Sequence, residues 1–288
     1  MVNGRRLILN SLRLRSMAAQ TASSAANPQK VVHFLRHGQA QHNVRAEEKR
    51  KAGCSYDEFI QQMKDDDAFD AALTDLGRSQ AAACGASPAC QDAQSTVQLI
   101  AASPLSRALD TADLAFPCST TTPPPPPRVC CENLREISGY LLNGKRRPRI
   151  ELRERYPQWD FSALETEEDE LWSATLETDE AARERAYRAV RWAWERPEQE
   201  LALVAHGGLF MLCFDQQHPG LQVVSSSTGP ASKRFGNCEL RTFRLALRDD
   251  GDGDDGNAAA SSGDGAGAPL LRFELELIRA AGPGWELI

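Results

Sequence analysis

The sequence contains no run of about eighteen or more apolar residues, so no segment reads as a membrane-spanning helix, and no membrane association is expected. It has no Cys-x-x-Cys pair and no Cys/His spacing of the zinc-finger kind. Its eight cysteines (Cys54, Cys84, Cys90, Cys118, Cys130, Cys131, Cys213 and Cys238) are too few for a disulfide scaffold of 288 residues. Free, mostly buried thiols in a reducing compartment are expected instead. Basic residues are in deficit, 33 Lys and Arg against 40 Asp and Glu, and no long basic stripe offsets the net charge of -7, which argues against nucleic acid as a partner. Acid, in turn, is missing from the first thirty residues, which carry four Arg and one Lys. There Leu7, Leu9, Leu12 and Leu14 interleave with Arg, the pattern of an amphipathic organelle leader over residues 1–29, with an untargeted tail as the alternative. The expected location is cytoplasmic, or plastid or mitochondrial if the leader directs import.

Three short apolar runs are present: Val31–Leu35, Val97–Ala102 and Leu201–Ala205. Each is closed by turn or polar residues, Arg36-His37-Gly38, Ser103-Pro104 and His206-Gly207-Gly208. Continuous apolar runs of this length read as strands buried on both faces. Between them lie helical patterns: Leu105–Phe116, entered through Ser103-Pro104, and Asp179–Glu195, with an apolar stripe through Ala182, Ala186, Ala189, Val190 and Ala193 that stops at Pro197. Strands alternating with helices predict an α/β fold, a three-layer sandwich with a mainly parallel central sheet flanked by helices, forming one domain over 30–288. Cys238–Leu247 and Leu270–Ile278 alternate polar with apolar and predict an antiparallel hairpin at the sheet edge. The Gly/Asp/Ala/Ser segment 249–268 between them cannot bury a core and is expected to be a disordered insertion. Pro123–Pro127 predicts an extended connector.

Parallel strands gather their carboxyl ends at one rim, where ligands bind in open α/β sheets. His37, the segment Ser103–Arg107 and His206 all follow such ends. This set suits a phosphate ester. An imidazole can attack phosphorus, Arg36 and Arg107 can supply forked donors to the phosphoryl oxygens, and a carboxylic acid can protonate the leaving oxygen. Arg107 falls in the first helical turn, where the macrodipole disfavours a cation unless an anion binds nearby. For the acid, Glu132, Asp110 and Asp160 stand beside Glu136 as candidates. Arg146 and Arg147 read as solvated surface charge, with a contact to a second anionic group on the substrate as the alternative. His33 and His42 read as structural or pocket-edge groups, and His218 as a loop residue.

These residues resemble a known family. Phe34-Leu35-Arg36-His37-Gly38-Gln39-Ala40-Gln41-His42-Asn43 is similar to the signature of the histidine phosphatase, or phosphoglycerate-mutase-like, superfamily. Leu73-Thr74-Asp75-Leu76-Gly77-Arg78-Ser79-Gln80-Ala81, Ser103-Pro104-Leu105-Ser106-Arg107-Ala108, Leu134-Arg135-Glu136 and Val204-Ala205-His206-Gly207-Gly208 resemble its further motifs, in family order. Tyr156-Pro157, Asp160-Phe161-Ser162 and Phe235-Gly236-Asn237-Cys238-Glu239-Leu240-Arg241 look like a plant, algal and fungal phosphoglycerate-mutase-like branch, so the resemblance extends over about residues 31–247. It implies that His37 is phosphorylated, that Arg36, Arg107 and His206 clamp the phosphoryl group, and that Glu136 donates the proton. Asn43 would make a polar contact at the pocket edge, and neither metal nor other cofactor would be needed.

The expected activity is hydrolysis of a small phosphorylated metabolite through phosphohistidine. A phosphoglycerate-type mutase and a non-catalytic phosphate-binding protein are the alternatives. Against the mutase, Val44–Ala72 lacks the Asn-rich, Gly-Trp-containing loop of cofactor-dependent mutases, and Gln39 replaces their usual Glu. Against the binding protein, the nucleophile and clamp residues are all present.

Overall fold

The computed structural model describes residues 28–64, 68–118, 124–215, 218–224, 234–248 and 270–282. Within them seven strands form one sheet: β1 (Gln29–Arg36), β2 (Leu99–Ala102), β3 (Arg128–Cys130), β4 (Glu200–Ala205), β5 (Leu221–Val224), β6 (Leu240–Leu247) and β7 (Phe273–Ala281). Their order is β3-β2-β4-β1-β6-β7-β5. The three apolar runs become β1, β2 and β4, neighbours at the middle of the sheet, and β4 and β2 are buried almost throughout. β1 begins at Gln29, one residue inside the expected leader. The leader itself and the segment 249–268 lie outside the described residues, apart from Pro28 and Gln29.

Only β6 runs against the other strands of the sheet. It pairs with β7 in the predicted antiparallel manner, Leu247 opposite Phe273. The predicted edge position is corrected, because β6 also pairs with β1 and β5 closes the sheet beyond β7. The alternation read in both segments marks a sheet with one face less covered. It does not mark an edge, since alternation reports faces and not lateral neighbours.

Helices cover both faces. In chain order they are α1 (Gln41–Lys51), α2 (Tyr56–Lys64), α3 (Asp75–Gly85), α4 (Pro88–Thr96), α5 (Ser106–Ala115), α6 (Arg149–Arg155), α7 (Asp179–Glu195) and α8 (Gly207–Phe214). On one face, α7 and α8 pack on Val32, Phe34, Leu201 and Leu203. Phe34 meets Phe210, Phe214 and Phe243 edge-on, with centroids 5.7, 5.0 and 5.6 Å away. On the other face, α3 to α6 pack on Leu35, Ile100, Ala102 and Val204. Among the described residues no helix is long and apolar enough to cross a membrane. The cysteines follow their expected burial: all are free thiols, and Cys84, Cys90, Cys130, Cys131, Cys213 and Cys238 are buried.

Strand register then sets the site. Arg36 lies opposite Ala205, Ala102 opposite Val204, and Ala102 opposite Cys130. The residues that follow, His37, His206, Ser103 and Cys131, therefore leave the sheet side by side at one rim.

Candidate active site

His37 and His206 are both buried, with ring centroids 5.0 Å apart. The His37 Nδ1 lies 2.6 Å from the carbonyl oxygen of Gly38, an acceptor, so Nδ1 carries the proton. That leaves the lone pair on Nε2, which accepts a long 3.3 Å bond from Arg107 Nε. Burial first, then the Arg107 and Arg36 guanidinium groups, hold the His37 imidazole well below its ordinary range, so the ring is neutral. The surrounding chain enforces this arrangement. Gly38 N–H donates to Thr111 Oγ1, and Asn237 Nδ2 donates to the His37 carbonyl. The Leu73–Ala81 motif grips the same loop: Thr74 caps α3 through Gly77 N–H and donates to Gln39, while Gln80 accepts from Gln39 N–H. A Cβ on Gly77 would lie 2.0 Å from the Gln39 carbonyl oxygen, so only glycine allows this approach.

Arg107 is fully buried in the first turn of α5. Ser103 does not cap that helix. Its hydroxyl lies 2.7 Å from His206 Nε2, and the cap comes from Asp70, whose carboxylate accepts from Ser106 N–H and Ser106 Oγ at 2.8 and 2.5 Å. Arg107 Nη1 donates to the Asn143 carbonyl at 2.6 Å. Burial lowers the guanidinium pKa to about 10, which leaves it charged at neutral pH.

Five side chains at or beside His37 carry a buried polar atom without a protein partner: Arg36 Nε, Arg107 Nη2, His206 Nδ1, His42 Nδ1 and Asn143 Nδ2. Buried donors are almost always satisfied, so the unpaired ones on Arg36, Arg107 and Asn143 suit an anionic ligand.

Glu136 reaches the same rim from the loop after β3. Its Oε1 accepts from Ile137 N–H and Leu209 N–H at 3.0 Å each, and its Oε2 from Gly208 N–H at 3.2 Å. The carboxylate thus sits on the positive N-terminus of α8. A Cβ on Gly208 would lie 2.4 Å from Oε1, which accounts for the second glycine after His206. The rival acids are engaged elsewhere. Glu132 pairs with Arg135 and Arg146, Asp110 accepts from Tyr156, and Asp160 caps its own turn at Ser162.

Arg146 is corrected from surface charge to buried structure. Its guanidinium bonds Glu132 and the carbonyls of Thr166, Arg147, Glu167 and Glu168, leaving nothing for a substrate. Arg147 reaches Asp70 and Glu151. His33 is structural, bonded to Thr242 and Glu200. Asn43, in the first turn of α1, has both ends of its amide engaged, Oδ1 by Ala40 N–H and Nδ2 by His42 Nε2. Sequence reasoning missed Asn143, Asp70 and Arg185. Arg185 projects from α7 and donates to the carbonyls of Asn133, Arg135 and Glu136. Its partner Glu177 bonds the backbone of Ser138, so the pair brackets Glu136 on both sides.

The family model of the histidine phosphatase superfamily (branch 1) matches residues 32–219, a span holding Arg36, His37, Arg107, Glu136 and His206. The chain belongs to that superfamily. Among related sequences, the chain is 30% identical over 248 residues to phosphoglycerate mutase-like protein 1 of Arabidopsis thaliana, covering 76% of this chain and 82% of the relative. It is 29% identical over 265 residues to phosphoglycerate mutase-like protein 2 of the same plant, covering 75% and 74%. Among solved structures, a mycobacterial glucosyl-3-phosphoglycerate phosphatase complexed with VO3 aligns over 86% of this chain and 98% of its own, at 17% identity and a TM-score of 0.42.

Proposed function

We propose that this histidine phosphatase hydrolyses a small phosphomonoester through phosphohistidine at His37. The observation that carries this reading is a neutral imidazole with its lone pair on Nε2, ringed by buried donors that lack acceptors. In the first step His37 Nε2 bonds to phosphorus as the bond to the leaving oxygen breaks. The incoming phosphoryl group displaces the long Arg107 contact, and Arg36, Arg107 and His206 hold its oxygens. The Gly38 carbonyl keeps the Nδ1 proton and offsets the charge that builds on the ring. Glu136 gives its proton to the leaving oxygen. Its Oε2 is the oxygen with capacity to spare, since it accepts one long bond where Oε1 accepts two. In the second step Glu136 takes a proton from water, the water oxygen attacks phosphorus, and the bond to Nε2 breaks to release phosphate.

Hydrolysis is favoured over a mutase because residues 44–72 lack the Asn-rich, Gly-Trp-containing substrate loop of cofactor-dependent mutases, and the amide of Gln39 stands where those mutases carry Glu. The test is a phosphomonoester panel assayed without added metal. Phosphate release that disappears in His37→Ala supports the proposal. Release that survives His37→Ala, or isomerisation without release, contradicts it.

A further inference from the structure

His42 is the second residue of α1, five positions after the nucleophile, and its ring centroid lies 6.1 Å from that of His37. Its hydrogen bonds determine its tautomer. Ala40 N–H donates 3.0 Å to the side chain of Asn43, which identifies that end of the amide as the oxygen. The other end, Nδ2, is then a pure donor, and it faces His42 Nε2 at 3.0 Å. Nε2 must hold a lone pair, so the proton of the neutral ring is on Nδ1. A second proton on Nε2 would set two donors against each other. Burial, with Arg107 and Arg36 nearby, disfavours the cation as well. His42 therefore presents a fixed N–H, and that N–H is buried with no acceptor.

A buried donor without a partner is a net cost to the folded chain unless something else supplies the acceptor. The other unpartnered donors at this rim, on Arg36, Arg107 and Asn143, belong to the groups around His37. We propose that His42 is a substrate-contacting residue whose Nδ1–H donates to a non-bridging oxygen of the phosphoryl group at His37, with Asn43 acting as a positioning residue that locks the donor tautomer. This rests on the phosphoryl-transfer reading above. His42 serves as a donor and not as an acid, because losing Nδ1–H while Nε2 is held by Asn43 would leave an imidazolate.

The test uses the full chain with orthovanadate and inorganic phosphate as competitive inhibitors, together with nitrogen NMR of histidine-labelled enzyme. In the wild type, the His42 resonances should report a proton on Nδ1, and that N–H signal should shift when orthovanadate is added. His42→Phe should weaken both inhibitors by roughly ten- to hundred-fold, the range expected for losing one hydrogen bond to a charged group. His42→Gln, which can return an N–H, should recover part of the loss. If His42→Phe fails to fold, His42→Gln and the wild-type spectra still decide. Unchanged inhibition in the soluble variants, or a proton found on Nε2, overturns the assignment. If the wild type hydrolyses phosphomonoesters and binds orthovanadate while the His42 variants match it, only this assignment fails. A wild type that does neither removes the phosphoryl-transfer reading itself.

Discussion

The decisive feature at the scale of the residue is which nitrogen of His37 carries the proton. The Gly38 carbonyl settles it, and Thr111 and Gln80 settle where Gly38 and Gln39 sit. Arg107 donates directly to the lone pair, so its guanidinium should matter more to the transition state than to binding. Arg107→Ala is expected to lower kcat by about a hundred- to a thousand-fold, as for other single donors to a developing anion; steady-state kinetics with para-nitrophenyl phosphate measure this. A loss confined to KM would place Arg107 in ground-state binding only. His37, Arg36, Arg107, His206 and Glu136 were legible in the sequence because each lies in a short motif beside a strand end or helix start. Asn143 and Asp70 were not, since their roles come from contacts with Arg107 and Ser106 that are 36 positions away in each case.

At the scale of the element, α8 and α7 share the work of placing Glu136. The N-terminus of α8 supplies two N–H donors to the carboxylate, and Gly208 makes room for it. Gly208→Ala would drive a methyl group into Oε1, and we expect kcat to fall about a hundred-fold, the order of loss from misplacing a catalytic group by an ångström. The effect should be larger on substrates with poor leaving groups; equal loss on all of them would argue against Glu136 as the proton donor. From α7, Arg185→Ala would release three carbonyls of the Glu136 loop. A fall in kcat of roughly ten-fold or more, with KM little changed, is the expected signature of a positioning residue. The same scale shows why parts of the fold could be read and others not. β1, β2 and β4 declare themselves as short apolar runs, and α7 by its period and the stop at Pro197. Helix α1, Gln41–Lys51, is nearly all polar and offers no apolar stripe, so it escaped a reading by periodicity. β5, with four residues, gave no sign that it would extend the sheet past the β6–β7 pair.

The whole molecule pairs a neutral histidine cluster, His37 and His206 buried and His42 part-buried, with the buried Arg107 and the part-buried Arg36 at one rim of the sheet. Burial lowers the folded-state affinity of His37, His42 and His206 for protons, while the unfolded chain takes them up around the ordinary value of 6.5. The stability these rings contribute is therefore complete above that pH and is lost progressively below it, toward their depressed folded values. Denaturant titrations should show the midpoint falling as the pH is lowered from about 6.5, and a smaller decline in His42→Phe, since one ring is removed from the difference. Bound phosphate should raise the midpoint, because it satisfies donors that the free protein leaves unpaired.

The central claim is a covalent one, and trapping the intermediate tests it most directly. Enzyme mixed with a radiolabelled phosphomonoester, quenched within a turnover, digested at alkaline pH and mapped by mass spectrometry should carry an acid-labile, base-stable phosphoryl group on the peptide holding His37. Label on another residue, or hydrolysis at full rate with no labelled enzyme at any time point, would contradict the account.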